Sequence, residues 1–114
     1  MKNYIKKIEN TIKVDFKDKE LLIKSLTHKS FDDNYNNEKL EFLGDRVIGL
    51  AISKKLLNLY PNEKEGIIDK KFSNLVNKKT CTDIAIQLKL KNFIRTGPSF
   101  KKQKFTNDKI LSDC

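Results

Sequence analysis

Residues 37–59, NEKLEFLGDRVIGLAISKKLLNL, form one unbroken helical pattern, which YPNEKEG closes with Pro61 and Gly66 as punctuation. Most of what remains is helical in period too. Ile5, Ile8 and Ile12 recur at helical spacing, and DKELLIKSL follows with an acidic first turn and a Leu/Ile stripe, so two short helices are predicted to open the domain. HKSFDDNYNN is a polar loop in which Asn36 or Asn37 can cap the long helix. GIIDKKFSNLVNKKTCTDIAIQLKL predicts a helix to about Val76, a turn near Asn77, and another helix with Ile84, Ile86, Leu88 and Leu90 among its apolar positions. RTGPSFKKQKF reads as a basic loop around Gly97-Pro98, and TNDKILSDC as a helix capped by Thr106 or Asn107 that stops in its second turn. The β-strand signal is weak, so the expected fold class is all-α, in one domain.

The long helix carries acids where a core helix should not. With Glu38 at 0° and about 100° per residue, Glu41 falls near 300° and Asp45 near 340°, an arc of about 60°. Leu40, Leu43, Val47, Leu50 and Ala51 occupy the opposite face and form the expected core stripe. Ile48, Ile52 and Leu56 then continue the acidic arc with apolar side chains, which places the acids at the mouth of a covered groove. The plain alternative is that acids near a helix N-terminus favour the macrodipole and face water. Against it, Glu41 and Asp45 are an i, i+4 like-charge pair, and Lys39 and Arg46 point about 100° away. Gly44 and Gly49 each cost about 1 kcal/mol against Ala inside a helix, which suggests a close approach to the backbone there. A divalent cation bridging the acids would remove the repulsion, and hard oxygen ligands suit Mg²⁺.

The rest of the composition narrows the classes. A net charge of +9 on 114 residues favours a polyanionic partner, although a codon preference for Lys is the plain alternative. No run of about 18 apolar residues exists to cross a membrane, and MKNYIKKIEN lacks a secretory apolar core, so a cytoplasmic location is expected. Cys81 and Cys114 show no metal-ligand spacing and receive no role.

Glu38-Lys39-Leu40-Glu41-Phe42-Leu43-Gly44-Asp45 resembles the signature of the ribonuclease III family, the double-stranded RNA endonucleases, with every position a permitted residue. LTHKS at 26–30, Glu65-Gly66, LVNKKT at 75–80, IRTGPS at 94–99 and ILSDC at 110–114 follow in family order, so the resemblance covers nearly the whole chain. It implies a ribonuclease III-type helical catalytic domain over 1–114, incomplete because the last helix is cut off, without a double-stranded-RNA-binding domain. It implies a metal ligand at Glu41, an aspartate essential to catalysis at Asp45, and a second ligand at Asp113, whose partner Glu would lie three residues on. Mg²⁺ is the implied cofactor, with Mn²⁺ as a substitute, and no small-molecule cofactor is expected.

The same resemblance implies a homodimer that cuts RNA duplexes, leaving 5′-phosphate and 3′-hydroxyl ends, in the processing of ribosomal and messenger RNA precursors. The 114-residue chain alone is expected to be inactive. Glu38 reads as a supporting residue that orients water or a ligand. Glu65 is either part of the composite groove near the dimer interface or simply a helix N-terminal acid. Phe72 stands where many members have Arg, with Lys70-Lys71 before it to carry the charge. Lys70, Lys71, Lys101, Lys102 and Lys104 are the expected RNA contacts, since A-form RNA is read through phosphates and 2′-hydroxyls. His28 is expected to be a packed, hydrogen-bonded residue. The competing reading is a catalytically silent module of the same type that binds double-stranded RNA or a protein.

Overall fold

A computed structural model of the chain describes residues 1–98 and 108–114. Its elements are α1 (Lys2–Ile12), α2 (Lys19–Ser25), α3 (Glu38–Leu59), α4 (Glu65–Leu75), α5 (Lys78–Gln87), a 3-10 turn at Leu90–Asn92, and α6 (Asp108–Asp113). An isolated parallel bridge between Thr27 and Arg95 is the sole β feature among the described residues. The expected all-α class is what the chain adopts.

The helix starts follow from short polar side chains. Asp18 accepts the Leu21 N–H at 2.9 Å to open α2, and Asn77 accepts the Thr80 N–H at 2.8 Å to open α5, each satisfying a donor the helix itself cannot. Asn37 holds the cap position of α3 but turns its amide backward, donating to the Ser25 carbonyl at 3.1 Å, while Asn36 accepts the Glu38 N–H at 3.1 Å. The expected caps Thr106 and Asn107 lie outside the described residues.

Ile8, Leu22 and Leu26 make a buried core between α1 and α2, closed by Tyr4, Ile5, Phe16 and Phe93. Each such aliphatic side chain contributes about 1.5–3 kcal/mol on burial. Glu9 is buried beside this core, where its carboxylate accepts the Phe16 N–H at 2.9 Å and pairs with Lys19. Elsewhere α3 packs on α4, and α5 packs on α6, whose Ile110 and Leu111 are buried.

Three expectations are corrected. The stripe expected to be core is open: Leu43, Val47 and Leu50 are 58%, 58% and 74% exposed, and Ala51 is exposed. The other arc is covered only toward its far end, where Leu56 is 4% exposed and Ile52 half-buried beside α4, which sets Phe72 against Gly49; Ile48 is 44% exposed, so the expected covered groove does not extend to it. Periodicity identifies an apolar face without saying what covers it. Likewise Ile84 and Ile86 of α5 are exposed, while Thr82 and Ala85 are buried. No close approach explains the helix glycines among the described residues: a Cβ on Gly44 would meet nothing within 4 Å, and one on Gly49 would meet Phe72 at an ordinary 3.7 Å. The tight position is Gly97, where a Cβ would lie 2.4 Å from the Ser30 carbonyl oxygen.

Candidate active site

The first turn of α3 is anchored before its acids begin. The Asn37 N–H donates to the Thr27 carbonyl at 2.9 Å, and the Asn37 carbonyl accepts the Glu41 N–H at 2.8 Å, so the position of Glu41 is tied to the end of α2. The loop after α2 is held in turn by the segment before Pro98. The His28 N–H donates to the Arg95 carbonyl at 2.9 Å, the Arg95 N–H donates to the Leu26 carbonyl at 2.8 Å, and the Arg95 guanidinium donates to the Thr27 hydroxyl at 2.7 Å. Ser30 accepts the Gly97 N–H at 2.9 Å and shares a 2.7 Å hydrogen bond with His28 Nδ1.

Against this frame α6 brings Asp113 to α3. Glu41 and Asp113 border the same space, and Glu41 and Asp45 lie one turn apart on α3. Glu41, Asp45 and Asp113 line one space of about 180 Å³. A cleft of about 440 Å³ opens beside Asp45 and Asp113 toward Phe72, Lys78 and Cys81, and another of about 350 Å³ opens from Glu41 and Asp113 toward Glu38, His28 and Lys29. Asp113 borders all three.

The charges are frustrated. Partial burial pushes the Glu41 carboxyl above the usual carboxylate range, and Asp113 and Asp45 push it further, with Lys109 opposing. Lys109 Nζ lies 2.7 Å from Asp113 Oδ2, and that hydrogen bond and ion pair hold the lysine's proton more tightly than usual. His28 is pulled below the usual imidazole value, first by burial and then by Lys29. Clustered carboxylates that repel one another are the donor set a hard divalent cation favours. Among the described residues, no three acidic, histidine or cysteine side chains converge tightly enough to enclose an ion. In their chemistry Glu41, Asp45 and Asp113, which border one space, are nevertheless donors a hard cation favours.

The other sequence candidates fall in different places. Glu38 is at the rim, where it forms an exposed 3.4 Å ion pair with Lys29, of a kind worth about 1 kcal/mol or less. Glu65 opens α4 beside Ser53, Leu57 and Asp69, and is not brought to the acidic cleft. Leu57 lies twelve positions after Asp45 on α3, about 18 Å along the helix. Lys70 is exposed on α4, and Lys71 lies 4.4 Å over the Tyr60 ring. Lys101, Lys102 and Lys104 lie outside the described residues. Sequence reasoning passed over Lys109 and gave Cys81 no role, while Lys78 was one of its basic residues; all three line the larger cleft. For Lys109 a signal was present, because NDKILSDC sets it four residues before Asp113 on one helical face.

The chain is similar to known proteins along nearly its whole length. It is 56% identical over 108 residues to Ribonuclease 3 of Pelagibacter ubique and 48% identical over 94 residues to Ribonuclease 3 of Campylobacter jejuni, covering 95% and 82% of this chain and 49% and 42% of those proteins. It thus spans about half the length of the curated relatives it matches. The crystal structure of the nuclease domain of ribonuclease III from Campylobacter jejuni superposes with a TM-score of 0.89 at 43% identity, over 99% of this chain and 77% of that one. A second structure of that domain, described as flexible in the region involved in dimer formation, gives 0.89 at 42% identity, over 96% and 77%. The ribonuclease-III-like family model matches residues 18–114, which takes in both α3 and α6. Matched by that family model over most of its length and by relatives at up to 56% identity, the chain belongs to the ribonuclease III-like family.

Proposed function

We propose that this chain is the catalytic domain of a divalent-metal-dependent endoribonuclease that hydrolyses phosphodiester bonds in double-stranded RNA and leaves 5′-phosphate and 3′-hydroxyl ends. The observation that carries the reading is that Glu41, Asp45 and Asp113, from two helices, line one space in a chain of this family. Glu41 and Asp113 are the residues that would hold Mg²⁺, or Mn²⁺ in its place. When bound, such an ion supplies positive charge that activates water near neutral pH and offsets charge on the phosphate.

The chain's own groups do the rest. Asp45, exposed on the cleft side of α3, orients the attacking water, and Glu38 supports the rim through Lys29. Lys78 on one side and His28 and Lys29 on the other give phosphate oxygens polar partners. Lys70 and Lys71, and Lys101, Lys102 and Lys104 beyond the described residues, add to the excess positive charge that draws an RNA duplex. The substrate class is structured ribosomal and messenger RNA precursors, and the location is cytoplasmic. Among the described residues no helix is long and apolar enough to cross a membrane.

The same reading makes the protein a homodimer. Its support is the open face of α3, where Leu43, Val47 and Leu50 are all more than half exposed, more apolar surface than water normally faces on a single helix. Glu65 then serves the composite groove.

The test compares a protein carrying this chain continued beyond Cys114 with its Asp45→Asn variant on labelled duplex RNA with Mg²⁺. Cleavage by the first and at least hundredfold slower cleavage by the second is the expected result. Duplex binding without cleavage by either overturns the nuclease reading and leaves the silent RNA-binding module.

A further inference from the structure

Lys109 sits where a cation is wanted. Its ammonium is 2.7 Å from Asp113 Oδ2, and it borders the clefts on both sides of that carboxylate. The Asp113 side chain is 23% exposed and the Lys109 side chain 67%. The ammonium therefore meets a carboxylate that is still partly open to solvent, from the exposed side of α6 away from the buried Ile110 and Leu111. Two acids of α3 border the same clefts as Lys109, Asp45 the larger one and Glu41 the other. An ordinary i, i+4 helix pair joins two charges on one element; here a second helix brings its acids to the same clefts.

We propose that Lys109 is a tethered counter-ion for the carboxylate cleft, seated on Asp113 in the absence of a divalent ion and displaced from it when one binds. This rests on the metal reading above and adds an exchange of cations to it. A lysine ammonium is a compact point charge on a flexible stem, so it can neutralise the acids at one position and leave it at little cost. The metal must compete with it, and the repulsion between the two cations weakens the ion's hold.

The experiment is Mn²⁺ titration of the 114-residue chain, followed calorimetrically, for the parent, Lys109→Met and Lys109→Arg. Methionine keeps length and helix propensity without charge, and circular dichroism establishes that each variant retains its helices. The expected result is Mn²⁺ binding on the order of tenfold tighter in Lys109→Met, unchanged or weaker in Lys109→Arg, and a larger Mn²⁺-induced rise in Tm for Lys109→Met than for the parent. Parent-like or weaker binding by Lys109→Met overturns the exchange while leaving the metal reading in place. Binding by neither the parent nor Lys109→Met overturns both.

Discussion

Glu9 and Glu41 are both shielded carboxylates, and the chain treats them in opposite ways. Glu9 has a lysine and a backbone N–H, first Lys19 and then Phe16, and its carboxyl is held below its usual value of 4.5. The folded state therefore binds fewer protons there than the unfolded chain, so the stability Glu9 contributes is present above about pH 4.5 and lost as pH falls through the lowered value. Glu41 is raised, so its sign reverses: its folded form favours the proton, and stability falls as pH rises from 4.5 through the raised value. Glu9→Gln is expected to lower Tm at pH 7, and Glu41→Gln to raise it, with both differences shrinking toward pH 4; thermal melts across pH 4–8 without divalent ions check both. A third residue is constrained by shape rather than charge. Gly97→Ala would push a Cβ into the Ser30 carbonyl and is expected to cost about 1–3 kcal/mol, read from urea denaturation.

At the scale of the element, α3 shows what the sequence disclosed and what it withheld. Its bounds, its acids and their shared face were legible, because helical period, Pro61 and charge spacing are local properties. Which apolar face would be covered was not, since Leu43, Val47 and Leu50 are as good a stripe as Ile48, Ile52 and Leu56, and the placement of α4 buries only Leu56 fully while leaving Ile48 44% exposed. The meeting of Glu41 with Asp113 was legible only through family resemblance, as 72 positions separate them and no local rule brings α6 to α3. Leu50→Asp separates the two uses of α3. At a 74% exposed position of a lone chain it should change stability by about 0.5 kcal/mol or less. In a homodimer closed by this face it should yield monomers by analytical ultracentrifugation. Gly44 lies on the carboxylate side instead, and with nothing within 4 Å of a Cβ there Gly44→Ala should stabilise the chain by up to about 1 kcal/mol, read from urea denaturation.

The whole molecule is looser than its length requires. Its radius of gyration is 15.9 Å and its extents are 49 × 30 × 25 Å, against about 13 Å for a compact domain of this size. The described core lies mainly between α1, α2 and the Leu90–Ile94 segment, while α3 and α4 are flanked by water along much of their length. Acids on one side of α3 and uncovered leucines on the other have a kinetic consequence. If a second copy covers the leucines, the helix that presents Glu41 and Asp45 is held straight by a reversible association. Cleavage rate per chain would then rise with protein concentration and level off once pairing is complete, and dilution would silence the enzyme without any inhibitor.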